Sequence, residues 1–318
     1  MDLRQALQVY LLQLRADGRS PHTIKSYERH LGSLLDWLAK HGRNAALDEI
    51  TPQVLAEFLV SDHVRASGRG GLRSTSTVNA VRTSLRVVFG WLHDAGHTRI
   101  NPARLIRRAI CSPAPPKALN EAQVERLHGL MAAATGVAAG RDRAMVALML
   151  GSGLRVGSAV ALDAADVDLA NGVLTARCVK RDRVQRVFFG AEARAELQRL
   201  IAGLPGPGPL FRAPNGERLT VRQSCRRITA WLDRAGVHDA SPHSLRHTFA
   251  TRLLARTGDV FLVQRALGHR SIASTAVYLE VSDDRLRQAV AVGVAGGPAG
   301  IDAHAHAGCQ DLRTASTG

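Results

Sequence analysis

Residues 241–251 read SPHSLRHTFAT, a stretch in which a helix start signal stands directly before two basic side chains. Serine followed by proline is typical of a helix N-cap and the first helical position. His243 and Arg246 are three residues apart, so both lie on one face of that helix near its positive N-terminal end. An imidazole and a guanidinium placed there indicate a phosphate-binding site. Such a pair also occurs on ordinary solvated helix faces, so its meaning depends on the surrounding sequence.

Downstream of this stretch, a turn and a tyrosine stand at short spacing. Residues 267–269 read LGH, where the glycine is expected to end a helix and present His269 in a turn. Nine residues later comes Tyr278, within a short segment that we expect to be helical. The other two tyrosines, Tyr10 and Tyr27, lie on apolar helix faces and are predicted to be core or interface aromatics.

Upstream, two further cations stand in loops. Residues 151–156 read GSGLRV, so Arg155 follows two glycines and opens a short helix, where it can approach an anion closely. A lone G-x-G pair is not specific for a nucleotide site. Lys180 stands between two predicted strands and is one of only 4 lysines among 42 basic residues. A lysine can be tuned to donate a proton near neutral pH, whereas an arginine cannot. An exposed, merely solvated hairpin lysine is the alternative.

The charge of the chain indicates a polyanionic partner. Among 318 residues, 42 Lys and Arg against 27 Asp and Glu give a net charge of +15. Residues 1–110 hold 16 basic and 9 acidic side chains, and residues 111–290 hold 25 and 16. Nucleic acid is the usual partner of such a protein, and an anionic membrane surface is the less common one. Two basic blocks on one chain suit a clamp around a DNA duplex.

The sequence shows no signal for a membrane or for secretion. No run of about 18 uncharged apolar residues is present, and residues 1–5 lack an apolar signal core. We therefore expect a cytoplasmic protein. Its four cysteines are far apart and show no zinc-ligand spacing, which predicts reduced thiols and no bound metal: Cys111, Cys178, Cys225 and Cys309.

The periodicity of apolar residues predicts two domains. Residues 1–110 show only helical spacing and form a small bundle, with helix starts at Ser20-Pro21, at Thr51-Pro52 and near Ser76. Residues 111–118 are a proline-rich linker. Residues 119–290 form a mixed domain, and residues 291–318 a flexible tail.

The mixed domain is predicted to hold a small antiparallel sheet among helices. Asn120 caps its first helix, and an apolar helix follows over residues 144–150. Asn171-Gly172 separates two apolar runs within residues 167–175, which is a strong hairpin signal. A further strand is expected over residues 184–189. The predicted fold class is mainly α with a small antiparallel β-sheet.

In combination, these elements resemble the tyrosine recombinase, or phage integrase, family, and the chain is similar in size to its Xer-type and transposon-encoded members. The resemblance spans residues 1 to about 290 and rests on the order of Arg155, Lys180, His243, Arg246, His269 and Tyr278. It implies an N-terminal helical core-binding domain of the SAM-like type and a mixed α/β catalytic domain. Two positions depart from the family pattern. Ser158 stands where an acidic residue is usual, and Arg181 and Asp182 stand where glycine and asparagine are usual.

The resemblance also implies roles for the six residues. Tyr278 is the expected nucleophile and His243 the expected general base, while Lys180 is the expected general acid for the departing 5′ oxygen. Arg155 and Arg246 are expected to hold the nonbridging phosphate oxygens, with His269 hydrogen-bonding the same phosphate. The intermediate is a 3′-phosphotyrosyl link, so no cofactor and no metal is expected. The implied partner is double-stranded DNA.

The implied assembly is a homotetramer on paired DNA sites, formed from a protein that is mainly monomeric when free. A partner recombinase is a further option, and integration or excision of a mobile element stands beside resolution of DNA dimers. Two other functions stay open at this point. One is DNA relaxation by a type IB topoisomerase, which shares the tyrosine chemistry. The other is DNA binding by a catalytically silent protein of the same fold.

Overall fold

The computed structural model describes residues 1–68, 70–111, 117–178, 183–268 and 275, with backbone only at residues 177–178 and 183–184. The chain divides into two compact units, Met1–Ala114 and Pro115–Gly318. This division falls within the predicted linker, residues 111–118, of which residues 112–116 lie outside the described residues. The predicted tail, residues 291–318, also lies outside them. Within the described part of the chain, no helix is both long and apolar enough to cross a membrane.

The described part of the first unit is helical, as predicted. It contains a 3₁₀ turn at Leu47–Glu49 and the helices α1 Leu3–Ala16, α2 Pro21–Lys40, α3 Pro52–Val60, α4 Asp62–Arg65 and α5 Thr75–Asp94. The predicted helix starts at Ser20-Pro21 and at Thr51-Pro52 are confirmed. The Ser20 side chain accepts a hydrogen bond from the Thr23 amide, and the Thr51 side chain accepts one from the Val54 amide. Helix α5 begins one residue earlier than expected, and the short helix α4 was not predicted.

One apolar core holds these helices together, and it includes Leu3, Leu7, Leu11, Leu34, Leu38, Phe58, Leu85 and Phe89. Tyr10 is buried in this core, and its ring meets Tyr27 edge-on at 5.4 Å between centroids. Burial raises the pKa of Tyr10 above its ordinary value, which makes its phenol a poor nucleophile. A buried hydrogen bond of 2.7 Å between His30 and Ser84 joins α2 to α5.

The second unit combines helices with one three-stranded sheet. Its helices are α6 Glu121–Ala133, α7 Val137–Ser152, α8 Val156–Val160, α9 Ala191–Ala202, α10 Val221–Arg234, α11 Pro242–Thr257 and α12 Val260–Leu267. Its strands are β1 Val167–Asp168, β2 Val173–Cys178 and β3 Arg183–Phe188, antiparallel in the order β1-β2-β3. The predicted hairpin at Asn171-Gly172 is confirmed, with Gly172 in the left-handed region at φ 64°. The predicted fold class is therefore confirmed.

Helix α7 is the centre of the second unit. It extends well beyond the predicted residues 144–150. The prediction missed its N-terminal turns because these bury charged side chains, which a hydrophobic pattern does not mark. Asp142 is 3% exposed and accepts hydrogen bonds from Arg227 and from Trp231 Nε1 on α10, the latter at 2.9 Å. Arg141 donates to the same carboxylate at 3.0 Å. A buried carboxylate is stable only with such partners, and these fix α10 against α7.

Candidate active site

The guanidinium of Arg246 joins two turns that are distant in sequence. Arg246 lies in the second turn of α11 and is 3% exposed. Its Nη1 donates to the Gly153 carbonyl at 2.5 Å, and its Nη2 donates to the Leu267 carbonyl at 2.7 Å. The first carbonyl belongs to the turn after α7, and the second to the turn that ends α12. The predicted phosphate-binding arginine therefore also holds the turn that precedes Arg155 and the turn that precedes His269.

Gly153 makes the first of these turns fit against α11. It ends α7 in the left-handed conformation at φ 66°. A Cβ atom at this position would lie 2.4 Å from Phe249 Cδ1 on α11 and 3.0 Å from Leu267 Cδ2. Only glycine suits both the backbone angle and the lack of space. The close approach brings the turn within reach of Arg246.

Arg155 follows this turn and lies at the mouth of the site. It is the N-cap residue of α8, as the sequence predicted, and its side chain is exposed. It lines a cavity of about 60 Å³ together with Arg246, Ser158, Gln185 and Gly268. The structure thus brings the two predicted arginines to one small cavity, where both charges can act on one anion. A larger cavity of about 460 Å³, lined by residues of α10 such as Trp231 and Arg234, holds none of the predicted site residues.

His243 stands beside the two arginines in the first turn of α11. Partial burial lowers its pKa below the ordinary value, and the positive charges of Arg246 and Arg155 lower it further. Its ring meets His247 at 4.5 Å between centroids, nearly perpendicular at 80°. Burial, with the charges of His243 and Arg246, lowers the pKa of His247 to about 4. Both imidazoles are therefore neutral near pH 7, which is the form that accepts a proton.

The other three predicted residues, Lys180, His269 and Tyr278, lie outside the described residues. Their immediate neighbours in sequence are partly described. Strands β2 and β3 pair as far as Cys178 and Arg183, on either side of the connection that contains Lys180. Gly268 precedes His269 and ends α12 at φ 63°, as predicted for the LGH turn. The described residues thus confirm the strands and the helix end next to two of these positions.

Gln185 is a residue of this cavity that the sequence interpretation missed. It lies on β3 opposite Ala176 of β2, and both residues line the cavity. Its neighbours alternate, because Arg186 and Phe188 are exposed while Val187 is buried. The sequence did contain one signal for it. Side chains alternate between the two faces of a strand, and Gln185 is a polar residue at a position that this alternation turns inward. The strand was predicted, but its inward face could not be assigned to the site without the tertiary structure.

Comparisons with known proteins cover both units. Residues 117–285 match the Phage integrase family, and residues 7–101 match the phage integrase N-terminal SAM-like domain. The chain is 36% identical to tyrosine recombinase XerD of Ralstonia nicotianae over 281 residues, which is 85% of this chain and 87% of the relative. It is 30% identical to tyrosine recombinase XerA of Thermococcus kodakarensis, covering 90% of this chain and 94% of the relative.

Solved structures show the same fold. The Tn1549 transposon integrase in complex with transposon right end DNA has a TM-score of 0.70 at 20% identity, covering 92% of this chain and 99% of that one. The XerH recombinase bound to palindromic difH substrate has a TM-score of 0.70 at 22% identity, covering 88% and 82%. The predicted SAM-like and catalytic domain types agree with these matches.

The close packing around Gly153 predicts that replacing it by alanine destabilises the protein more than the same change at a glycine with similar backbone angles. Gly258 ends α11 at φ 68° but has no atom within 4 Å of an added Cβ, so Gly258→Ala is the matched control for Gly153→Ala. Both variants should lose about 1–2 kcal/mol of unfolding free energy from the left-handed backbone. Gly153→Ala should lose about 1–3 kcal/mol more, because its Cβ overlaps Phe249. Urea unfolding measures the difference, and equal losses would contradict the close packing of this turn.

Proposed function

Since the chain belongs to the phage integrase family and is a tyrosine-type site-specific DNA recombinase, we propose that Tyr278 cuts and rejoins double-stranded DNA through a 3′-phosphotyrosyl bond. The observation that carries this proposal is the convergence of Arg155 and Arg246 on one cavity, with His243 beside them. The net charge of +15, shared by both halves of the sequence, supports a duplex as the partner.

The two arginines suit different parts of phosphate binding. Arg246 is buried, and the carbonyls of Gly153 and Leu267 fix its guanidinium in one orientation. These carbonyls are neutral, so they orient the charge without cancelling it. Arg155 is exposed, and among the described residues no hydrogen bond holds its side chain, so it can adapt to the DNA backbone. Together they would hold the nonbridging oxygens and stabilise the negative charge that builds in the transition state.

The proposed reaction has two proton transfers. The Tyr278 oxygen attacks phosphorus while its proton passes to His243, whose lowered pKa favours the neutral, accepting form. The bond from phosphorus to the 5′ oxygen breaks, and Lys180 gives that oxygen a proton. His269 hydrogen-bonds the phosphate. A 5′ hydroxyl of a second strand then reverses these steps and releases Tyr278. One phosphoester replaces another, so the reaction needs no nucleotide cofactor.

Strand exchange would occur in a homotetramer on two paired sites, because each chain offers one Tyr278 and four strands are cut. The similarity to XerD over most of the chain supports resolution of DNA dimers, alone or with a partner recombinase. The fold shared with the Tn1549 transposon integrase keeps integration of a mobile element as the second candidate. Assays with two-site plasmids distinguish them, because a dimer-resolution enzyme recombines a site on the host chromosome and an element integrase recombines element ends.

Replacing Tyr278 by phenylalanine tests the nucleophile. Tyr278→Phe should bind DNA as the parent does and form no covalent adduct, since only the attacking oxygen is lost. Tyr27→Phe in the first unit is the control and should keep the adduct. Denaturing gels of protein with labelled duplex show the adduct directly. A covalent complex that persists in Tyr278→Phe would identify another nucleophile, and no adduct in the parent would favour a silent DNA-binding protein.

The environment of His243 predicts the pH dependence of cleavage. Its pKa lies below the ordinary 6.5 in the folded protein, so the neutral base persists at pH 6.5 and is lost only as the pH falls further. The second-order rate of cleavage at low DNA concentration, which reports the free enzyme, should therefore fall on its acid side with a midpoint below pH 6.5. His243→Gln should lack this acid limb. A rate that falls as the pH rises through 6.5 would instead mean that the protonated imidazole is active.

Lys180→Ala tests the general acid. A 5′ alkoxide is a poor leaving group, so this variant should slow cleavage by about 10²–10⁴-fold on an ordinary substrate. In a substrate with a 5′-bridging sulfur at the cleavage site, the leaving group is a thiolate, which needs no proton. Lys180→Ala should therefore regain near-parental cleavage on this substrate. Arg246→Ala should stay slow on both, because its charge acts on the nonbridging oxygens. Rescue of Arg246→Ala, or almost no defect in Lys180→Ala, would show that the acid is misassigned.

A further inference from the structure

The carboxamide of Gln185 occupies the space that a Cβ atom at position 268 would fill. A Cβ atom built on Gly268 would lie 2.9 Å from Gln185 Oε1 and 3.0 Å from Gln185 Nε2. The carboxamide therefore packs directly over the Gly268 backbone, which is held at φ 63°. Gln185 is half-buried and reaches this contact from β3, across the cavity that contains Arg155 and Arg246.

The turn at Leu267-Gly268 is thus held from two sides. Arg246 donates to the Leu267 carbonyl at 2.7 Å, and Gln185 packs on Gly268. The hairpin of β2 and β3 is anchored separately, because Leu174, Ala176 and Val187 are buried in the apolar core of the second unit. Gln185 lies two residues after the start of β3, close to the connection of residues 179–182. Losing this contact would remove one support near the end of the hairpin, while Arg246 would still hold the turn.

We infer that Gln185 is a positioning residue, which fixes the hairpin bearing Lys180 against the turn that precedes His269. The inference rests on the proposed role of Lys180 as the general acid. Gln185 makes no chemical step of its own. It keeps the start of β3 against the turn that Arg246 also contacts, and a displacement of about 1 Å at such a site costs on the order of 10²-fold in rate.

Two substrates and four variants of the full-length chain, with Lys180→Ala as the reference, test this role. Gln185→Ala should slow cleavage of an ordinary DNA substrate at least about tenfold and recover to within about threefold of the parent on the 5′-bridging sulfur substrate. The double variant with Lys180→Ala should be no slower than Lys180→Ala alone. Gln185→Met keeps the length of the side chain and its packing on Gly268, so it should stay near the parent on both substrates. Thr175→Ala, on the outer face of the same hairpin, is the control and should change neither rate.

The outcomes separate this inference from the proposed function. If Lys180→Ala recovers on the sulfur substrate but Gln185→Ala stays slow on both, Gln185 binds the phosphate or supports the fold, and the inference is wrong. Equal defects in Gln185→Met and Gln185→Ala would also overturn it, since packing would not be the cause. If Lys180→Ala itself does not recover, the acid assignment fails instead.

Hydrogen–deuterium exchange then tests the contact without reference to Lys180. Peptides covering residues 176–186 should exchange faster in Gln185→Ala than in the parent, while those covering residues 260–268 should not change. Unchanged exchange in the hairpin would overturn the inference.

Discussion

The fork of hydrogen bonds from Arg246 to two backbone carbonyls is the constraint on which the site depends. A buried cation costs several kcal/mol unless its donors are satisfied. Here the carbonyls of Gly153 and Leu267 satisfy two donors at 2.5 and 2.7 Å. Because a guanidinium is planar and rigid, these bonds fix both turns relative to α11. Arg155 follows the first turn by two residues, so its position at the cavity is a consequence of this fork.

The same cations set the electrostatic character of the cavity. They favour a bound anion, and they add to the effect of burial, which is the main reason that the pKa values of His243 and His247 fall. A positive, partly buried cavity also lowers the cost of forming a phenolate, so in the proposed mechanism one arrangement would serve substrate binding and activation of the nucleophile. The carbonyls of Gly153 and Leu267 suit the proposed role of Arg246, since a carboxylate in their place would compete with the phosphate.

Local chemistry made much of the fold predictable. The caps at Ser20, Thr51, Asn120 and Ser241 depend on neighbouring residues alone, and all four helices begin where the sequence places them. The order of Arg155, His243 and Arg246 is likewise visible in short motifs. Long-range contacts were not predictable. Asp142 is buried only because α10 supplies Arg227 and Trp231 nearly 90 residues later, and Gly153 meets Phe249 across a similar separation. Gln185 was missed for the same reason.

Amide exchange in Arg246→Lys tests the role of this fork most directly. A lysine keeps the positive charge but cannot form two parallel hydrogen bonds with a planar group. Peptides covering residues 149–156 and 263–268 should both exchange faster than in the parent, while peptides from the first unit should not change. Unchanged exchange in both turns would contradict the account, because it would mean that the turns keep their positions without the Arg246 fork.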